Sequence, residues 1–435
     1  MKKMASIVLA LALILGVVGI SHADGEITLV SDKVTAKFQQ NMTFSLEAKG
    51  STSDITRVTL YYQVGNQPVT SYAYPKFDAG RAIKAEHVWD TKKAYIPPGV
   101  TINYYYLLED AASHQLKTER KSFLYTDTRH TWKSKTTGQL SLSWYQGSDS
   151  FGNDLFEAAK TALAQLEKDA GVSVQQPVSL WIYDSYDDLR SSMEQGAKEW
   201  TGGVSYSDMG VILIGVAESN LAWGKRAVSH ELSHVVIDQA THNPFGDLPR
   251  WLNEGLAMYS EGPLESQYKT SLDRAVSQGK LLSLKTISSN FPADSSQATL
   301  SYAESYSVLK YLIDTFGRDK MAALLNVFKE GATYDGALKK VYGMDTDGLD
   351  AAWQGSLGIK PAAASATPAA GTSPTAGRPA PAPATVTPTP GVPVLPGGAL
   401  PANWATLLVG LCVGCGCVSV AVIVLVVITW LARRR

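Results

Sequence analysis

The sequence predicts a multidomain chain: an N-terminal all-β immunoglobulin-like sandwich, a mixed α+β domain, a Pro-rich stalk and a single C-terminal transmembrane helix. Three observations carry this. Apolar residues alternate with period two early in the chain, helical patterning prevails from Ala222 onward, and 404–431 contain no charged residue.

The two ends come first, because they must be set aside before the fold is read. Lys2 and Lys3 precede an apolar run from Ile7 to Ile20 and the small-x-small site Ser21-His22-Ala23. This is the pattern of a secretory signal peptide over 1–23, with maturation near Asp24. At the other end, Leu407 to Leu431 is long enough to cross a bilayer. Arg433, Arg434 and Arg435 close a basic tail over 432–435, and the positive-inside rule places that tail in the cytoplasm. Signal in front and stop-transfer behind describe a single-pass cell-membrane protein with its N-terminal ectodomain outside. A sortase anchor also ends in an apolar stretch and basic residues, but Leu395-Pro396-Gly397-Gly398 lacks the Thr-Gly pair it needs.

All three cysteines, Cys412, Cys415 and Cys417, fall inside 404–431. The exported region therefore has no disulfide, although its compartment would permit one. A formal charge of −1 and the lack of a Lys/Arg cluster in the ectodomain argue against nucleic acid as a partner.

Residues 24–128 read as the β domain. In Ile55 to Val64, Val58, Leu60, Tyr62 and Val64 share one face, while Thr59, Tyr61 and Gln63 share the other. Phe44 to Ala48 and Ile102 to Leu108 are further strand candidates, and Gly65-Asn66 and Pro97-Pro98-Gly99 supply turns. A small immunoglobulin-like or fibronectin-like sandwich fits, with its tyrosines packing on strand faces. Residues 131–358 are mixed: strands at Leu140 to Trp144, Val178 to Tyr183 and Val211 to Gly215, and a helix over Leu155 to Leu166 ended by Gly171. Further helices follow, including Tyr302 to Phe316 and Lys320 to Phe328. The 42 residues of 361–402 are dominated by Pro, Ala, Thr and Gly, with Arg378 the only charge. Such a linker is extended and semi-rigid, reaching about 130 Å at most.

His230-Glu231-Leu232-Ser233-His234 lies in a helical stretch from about Ala227 to Gln239. Histidines four apart stand on one helix face, one turn from each other, so both imidazoles can reach one ion. Water on a zinc ion is far more acidic than bulk water, and Glu231 is placed to take its proton as general base. Trp251-Leu252-Asn253-Glu254-Gly255-Leu256-Ala257 begins a second helix just after Pro249, with 19 residues between His234 and Glu254. Glu254 as third ligand completes a His, His, Glu set with one position open for water.

From about Gly202 to Gly317 this combination resembles the gluzincin zinc metallopeptidases, the peptidase MA-like group of thermolysin and aminopeptidase N. The Trp-Leu-Asn-Glu-Gly segment is close to the third-ligand helix of the aminopeptidase N relatives. The metzincin pattern fails, because Ala240 stands where its third histidine would be and Ile237 where it needs Gly. The resemblance implies an α+β zincin metallopeptidase domain, Zn²⁺ as cofactor on His230, His234 and Glu254, Glu231 as base, and a peptide or protein as substrate. By register it implies that Tyr302 faces the oxyanion, with Tyr306 one turn on as the competing candidate. It also implies that Glu261 orients a ligand histidine, and that Gly202 and Gly203 begin a substrate-binding edge strand. One departure matters. Where aminopeptidases carry Gly-x-Met-Glu-Asn, this chain reads Gly202-Gly203-Val204-Ser205-Tyr206 and lacks the carboxylate that grips a free amine. A strict aminopeptidase is therefore not expected. Two other readings stay open, a non-catalytic cell-surface binding protein and a zinc hydrolase of another bond. His87, His114, His130 and His242 have no ligand spacing.

Overall fold

The computed structural model describes residues 27–194 and 202–359. The expected signal peptide, stalk, apolar 404–431 segment and basic tail lie outside the described residues. Among those described, no helix is long and apolar enough to cross a membrane. The chain forms two compact units.

The first unit comprises 27–37, Asn41–Trp89 and Thr101–Leu124. Its strands are β1 (Ile27–Lys37), β2 (Asn41–Gly50), β3 (Ile55–Val64), β4 (Ser71–Ala73), β5 (Ala82–Trp89), β6 (Thr101–Asp110), β7 (Gln115–Lys117) and β8 (Lys121–Leu124). One antiparallel sheet has the order β1-β2-β5, the other β4-β3-β6-β7 with β8 also on β6. Met42, Phe44, Leu46 and Ala48 of β2 and Ile102, Tyr104, Tyr106 and Leu108 of β6 alternate and are buried, as half-buried strands require. Phe44 meets Tyr104 edge-on at 5.3 Å, joining the inner faces of the two sheets. Val58 and Leu60 face the core as expected, and a bulge between Ile55 and Arg57 interrupts the alternation before them. Tyr61 stacks on Tyr105 across the other face at 5.0 Å, a cross-strand pair of the packing kind.

The second unit gathers Phe38–Gln40, Asp90–Val100 and the chain from Tyr125 on, so its boundary is not a single cut near 128. The Pro97-Pro98-Gly99 turn is buried within it. Gly99 has φ +98°, and a Cβ there would fall 2.0 Å from Nε1 of Trp181. The Tyr95 hydroxyl donates to the Ser192 carbonyl at 3.0 Å. These contacts, invisible in local patterning, tie Asp90–Val100 to residues almost a hundred positions later.

Its elements are β9 (Lys133–Thr137), β10 (Leu140–Trp144), α1 (Asp149–Ala170), β11 (Val178–Tyr183), α2 (Tyr186–Ser192), β12 (Gly203–Tyr206), β13 (Val211–Gly215), α3 (Leu221–Thr241), α4 (Arg250–Ser260), α5 (Ser266–Gln278), α6 (Ser295–Phe316), α7 (Arg318–Lys329), α8 (Tyr334–Tyr342) and α9 (Thr346–Ser356). The sheet order is β12-β13-β11-β10-β9, with the middle three parallel and each outer strand antiparallel to its neighbour. β10, β11 and β13 have the bounds their apolar runs predicted. α1 exceeds its expected span because Ser148 caps its start, accepting from the Phe151 N–H at 3.1 Å, and Gly171 ends it at φ +67°. α6 starts at Ser295 under the Asp294 cap, so Tyr302 lies two turns inside the helix and does not open it.

Val228, Leu232, Val235 and Val236 of α3 and Trp251, Leu252 and Leu256 of α4 enter one core with the sheet, α1 and α6 to α9. Full burial of one such side chain stabilises by about 1.5–3 kcal/mol. The core stripe thus sets the rotation of α3, and His230 and His234 take what the remaining face offers.

Candidate metal centre

His230 and His234 sit one turn apart on α3, their rings 4.8 Å apart and nearly perpendicular. α4 follows Pro249, whose fixed φ suits a helix start, and presents Glu254 to both. Glu254 Oε2 lies 3.5 Å from Nε2 of His230 and 3.6 Å from Nε2 of His234. One ligand atom from each residue falls within 4.8 Å of the others.

What stands behind the histidines fixes which nitrogen faces inward. His230 Nδ1 donates to Glu261 Oε1 at 2.7 Å, and His234 Nδ1 donates to Asn253 Oδ1 at 2.9 Å. Both Nε2 atoms are therefore left to point at Glu254. Distances of 3.5 and 3.6 Å are too long for hydrogen bonds, and Glu254 Oε2 is buried without a hydrogen-bond partner. Two imidazole nitrogens and an orphaned carboxylate oxygen converging on one point fit a divalent cation, and the donor set suits zinc. Around them, Arg226 pairs with Glu261 and Glu265 and Arg250 with Glu254, while the Glu231 charge also bears on His230.

Burial works against the charged form of both His230 and Glu254, yet each is outweighed by the other. Glu254 and Glu261 lift the His230 imidazole well above its usual value, and His230, His234 and Arg250 hold the Glu254 carboxyl low. A cation between them would take the place of the imidazolium proton.

Glu231 is buried on the same helix, and Gly203 of β12 lies against it. A Cβ at Gly203 would come within 2.9 Å of Glu231 Cγ. At Gly202 a Cβ would meet the Trp223 ring at 2.3 Å. The two glycines let the terminal strand of the sheet run close over α3. Tyr302 of α6 comes to the same centre, its ring 6.5 Å from that of His230, 5.1 Å from Phe291 and 6.4 Å from Tyr268. The Glu254 charge, then burial, keep its phenol protonated far above the ordinary range, with Arg250 opposing. Tyr306 instead packs on Tyr259 at 5.7 Å.

The structure thus brings together His230, His234, Glu254, Glu231, Glu261, Tyr302 and Gly203, with Gly202 beside Trp223. Sequence reasoning missed Asn253, Arg250 and Arg226. Arg250 reaches Glu254 Oε1 at 3.3 Å and covers Phe291 at 4.9 Å. Arg226 pairs with Glu261 Oε2 at 2.9 Å and Glu265 Oε1 at 3.1 Å. Their spacing was a signal: Arg226 and Arg250 each stand four residues before a proposed ligand, on the same helix face.

Comparison with curated proteins gives no match. Among solved structures, OgpA from Akkermansia muciniphila in complex with an O-glycopeptide is 11% identical over 24% of this chain and 30% of its own, with a TM-score of 0.19. Legionella pneumophila aminopeptidase A in complex with aspartic acid is 11% identical over 77% of this chain and 50% of its own, with a TM-score of 0.33. An aminopeptidase N family protein from Idiomarina loihiensis is 11% identical over 74% and 72%, with a TM-score of 0.32. The chain thus spans about a third of OgpA and half of the Legionella enzyme, likenesses too distant to bear on function. Residues 158–358, which carry α3, α4 and α6, match the model of the Peptidase MA superfamily, and that match supports a gluzincin-like peptidase fold for this part of the chain.

Proposed function

We propose that this chain is a membrane-anchored, extracytoplasmic zinc metallopeptidase that hydrolyses peptide bonds. The observation that carries the reading is the convergence of His230, His234 and the orphaned Glu254 oxygen beside the buried carboxylate of Glu231. A zinc ion held there supplies Lewis acidity, polarising a carbonyl and acidifying water.

The chain's own residues do the rest. β12 ends its sheet beside α3, and an extended substrate added along it lies across the centre by strand pairing. Glu231 accepts the proton of the attacking water and passes it to the departing amine. The Tyr302 phenol donates to the oxyanion that develops on the carbonyl oxygen. Ser205 stands where an aminopeptidase carries its amine-binding Glu, so cleavage does not require a free N-terminus. The signal pattern over 1–23 and the apolar 404–431 segment with its arginines support an ectodomain held outside the membrane.

The test is cleavage of an unbiased peptide library by the purified full chain, with Glu231→Gln alongside and zinc measured in both. Wild type should hold one zinc and cut, and Glu231→Gln should hold the zinc and not cut. Equal cleavage by both proteins removes Glu231 as the base. Zinc without cleavage of any peptide favours a zinc hydrolase of another bond.

A further inference from the structure

The connection from α4 to α5 is five residues long, Glu261-Gly262-Pro263-Leu264-Glu265, and Arg226 touches three of them. Its Nη2 pairs with Glu261 at 2.9 Å, its Nε with Glu265 at 3.1 Å, and its Nη1 donates to the Pro263 carbonyl at 3.4 Å. Gly262 has φ +100°, so this turn takes a backbone shape that needs a glycine and has no regular hydrogen-bonded ladder to hold it. Only 9 % of the Glu261 side chain is exposed, and its other oxygen holds His230 Nδ1. Arg226 and His230 lie one turn apart on α3, so a single rigid helix carries both the proposed ligand and the group that fixes the ligand's support.

We propose that Arg226 is a positioning residue of the metal centre: it staples the α4–α5 turn and so holds Glu261 against His230, raising the affinity for zinc without touching the ion. The inference rests on the zinc reading above. Two carboxylates side by side repel, and left to themselves Glu261 and Glu265 would swing toward water. One planar guanidinium reaches both by ion pairs from two different nitrogens, a fixed spread that the compact, flexible ammonium of a lysine lacks. With the turn stapled, Glu261 has one rotamer that serves His230, and the imidazole keeps its proton on Nδ1 and its free electron pair on Nε2. His234 is supported separately, by Asn253 on α4, and does not depend on Arg226.

The experiment is a zinc competition titration of the purified full chain against a chromophoric chelator. Arg226→Ala should weaken zinc binding by about 10–100-fold, and Arg226→Lys should fall between it and wild type. Glu261→Gln should weaken binding similarly. In a Glu261→Gln background Arg226→Ala should add nothing, because its route to the metal is already cut. In an Asn253→Ala background it should keep its full effect. A general loss of packing would lower affinity in both backgrounds alike, so full additivity with Glu261→Gln overturns the proposal. So does wild-type affinity in Arg226→Ala. If the wild-type chain takes up no zinc at all, the metallopeptidase reading fails with it.

Discussion

Tyr302 shows how a residue's surroundings fit it for one task. A neighbouring carboxylate and burial keep the phenol a hydrogen-bond donor, and three aromatic or imidazole rings fix its direction. Removing one oxyanion donor typically costs about 10²–10³ in turnover. Tyr302→Phe should lower kcat by about that factor, with zinc content and melting temperature held, while Tyr306→Phe leaves kcat near wild type. The opposite pattern in steady-state kinetics would shift the donor by one turn. The four residues read from the two motifs were legible because their spacing is also their geometry. Asn253 carries no such signal, and the spacing of Arg226 and Arg250, four residues before a ligand, shows a shared helix face but not the carboxylates they meet.

At the level of elements, α6 carries a second buried acid with a different consequence. Glu304 is fully buried, accepts from the Leu282 N–H at 2.9 Å through Oε1, and leaves Oε2 without a partner. Burial pushes its carboxyl up to about 8, with the Asp350 charge adding and the Leu282 N–H opposing. The folded state therefore holds this proton more tightly than the unfolded chain does. Its contribution to stability is complete below about pH 4.5 and is lost as pH rises through about 8. The span from 4.5 to about 8 corresponds to on the order of 5 kcal/mol. Glu304→Gln keeps an acceptor for Leu282 and cannot ionise, so its urea midpoint should change less between pH 5 and pH 9 than that of wild type. Parallel curves for the two proteins would show that Glu304 stays neutral or finds a partner across this range. Nothing in the local pattern marks this acid, because the segment around Leu282 that covers it has no periodicity. By contrast, the apolar runs of β10, β11 and β13 mark their ends to the residue. Strands buried on both faces are continuous apolar runs with clear ends.

For the whole molecule, the expected topology has the simplest test. Protease added to intact cells should release the folded ectodomain by cutting within 361–402, where Pro, Ala and Thr offer no core to protect the chain. Protection in intact cells but not in lysed ones would invert the orientation. Composition divides the chain into the expected segments, but it does not show that the second unit is assembled from three separate stretches. That requires contacts such as Ser179 Oγ donating to the Gly99 carbonyl at 3.3 Å, across 80 positions.

This interleaving sets an order of events at the ribosome. The strands on either side of Asp90–Val100 emerge early and can pair at once. Asp90–Val100 itself must wait for Ser179, Trp181 and Ser192. At roughly 5–20 residues per second, an 80-residue delay lasts on the order of 4–16 s. For that time Tyr95, Ile96 and Val100 have no core to enter, and a chaperone has a defined apolar segment to hold. A chain begun at residue 131 would lack the strip that packs on Trp181, and should therefore be less stable than the whole.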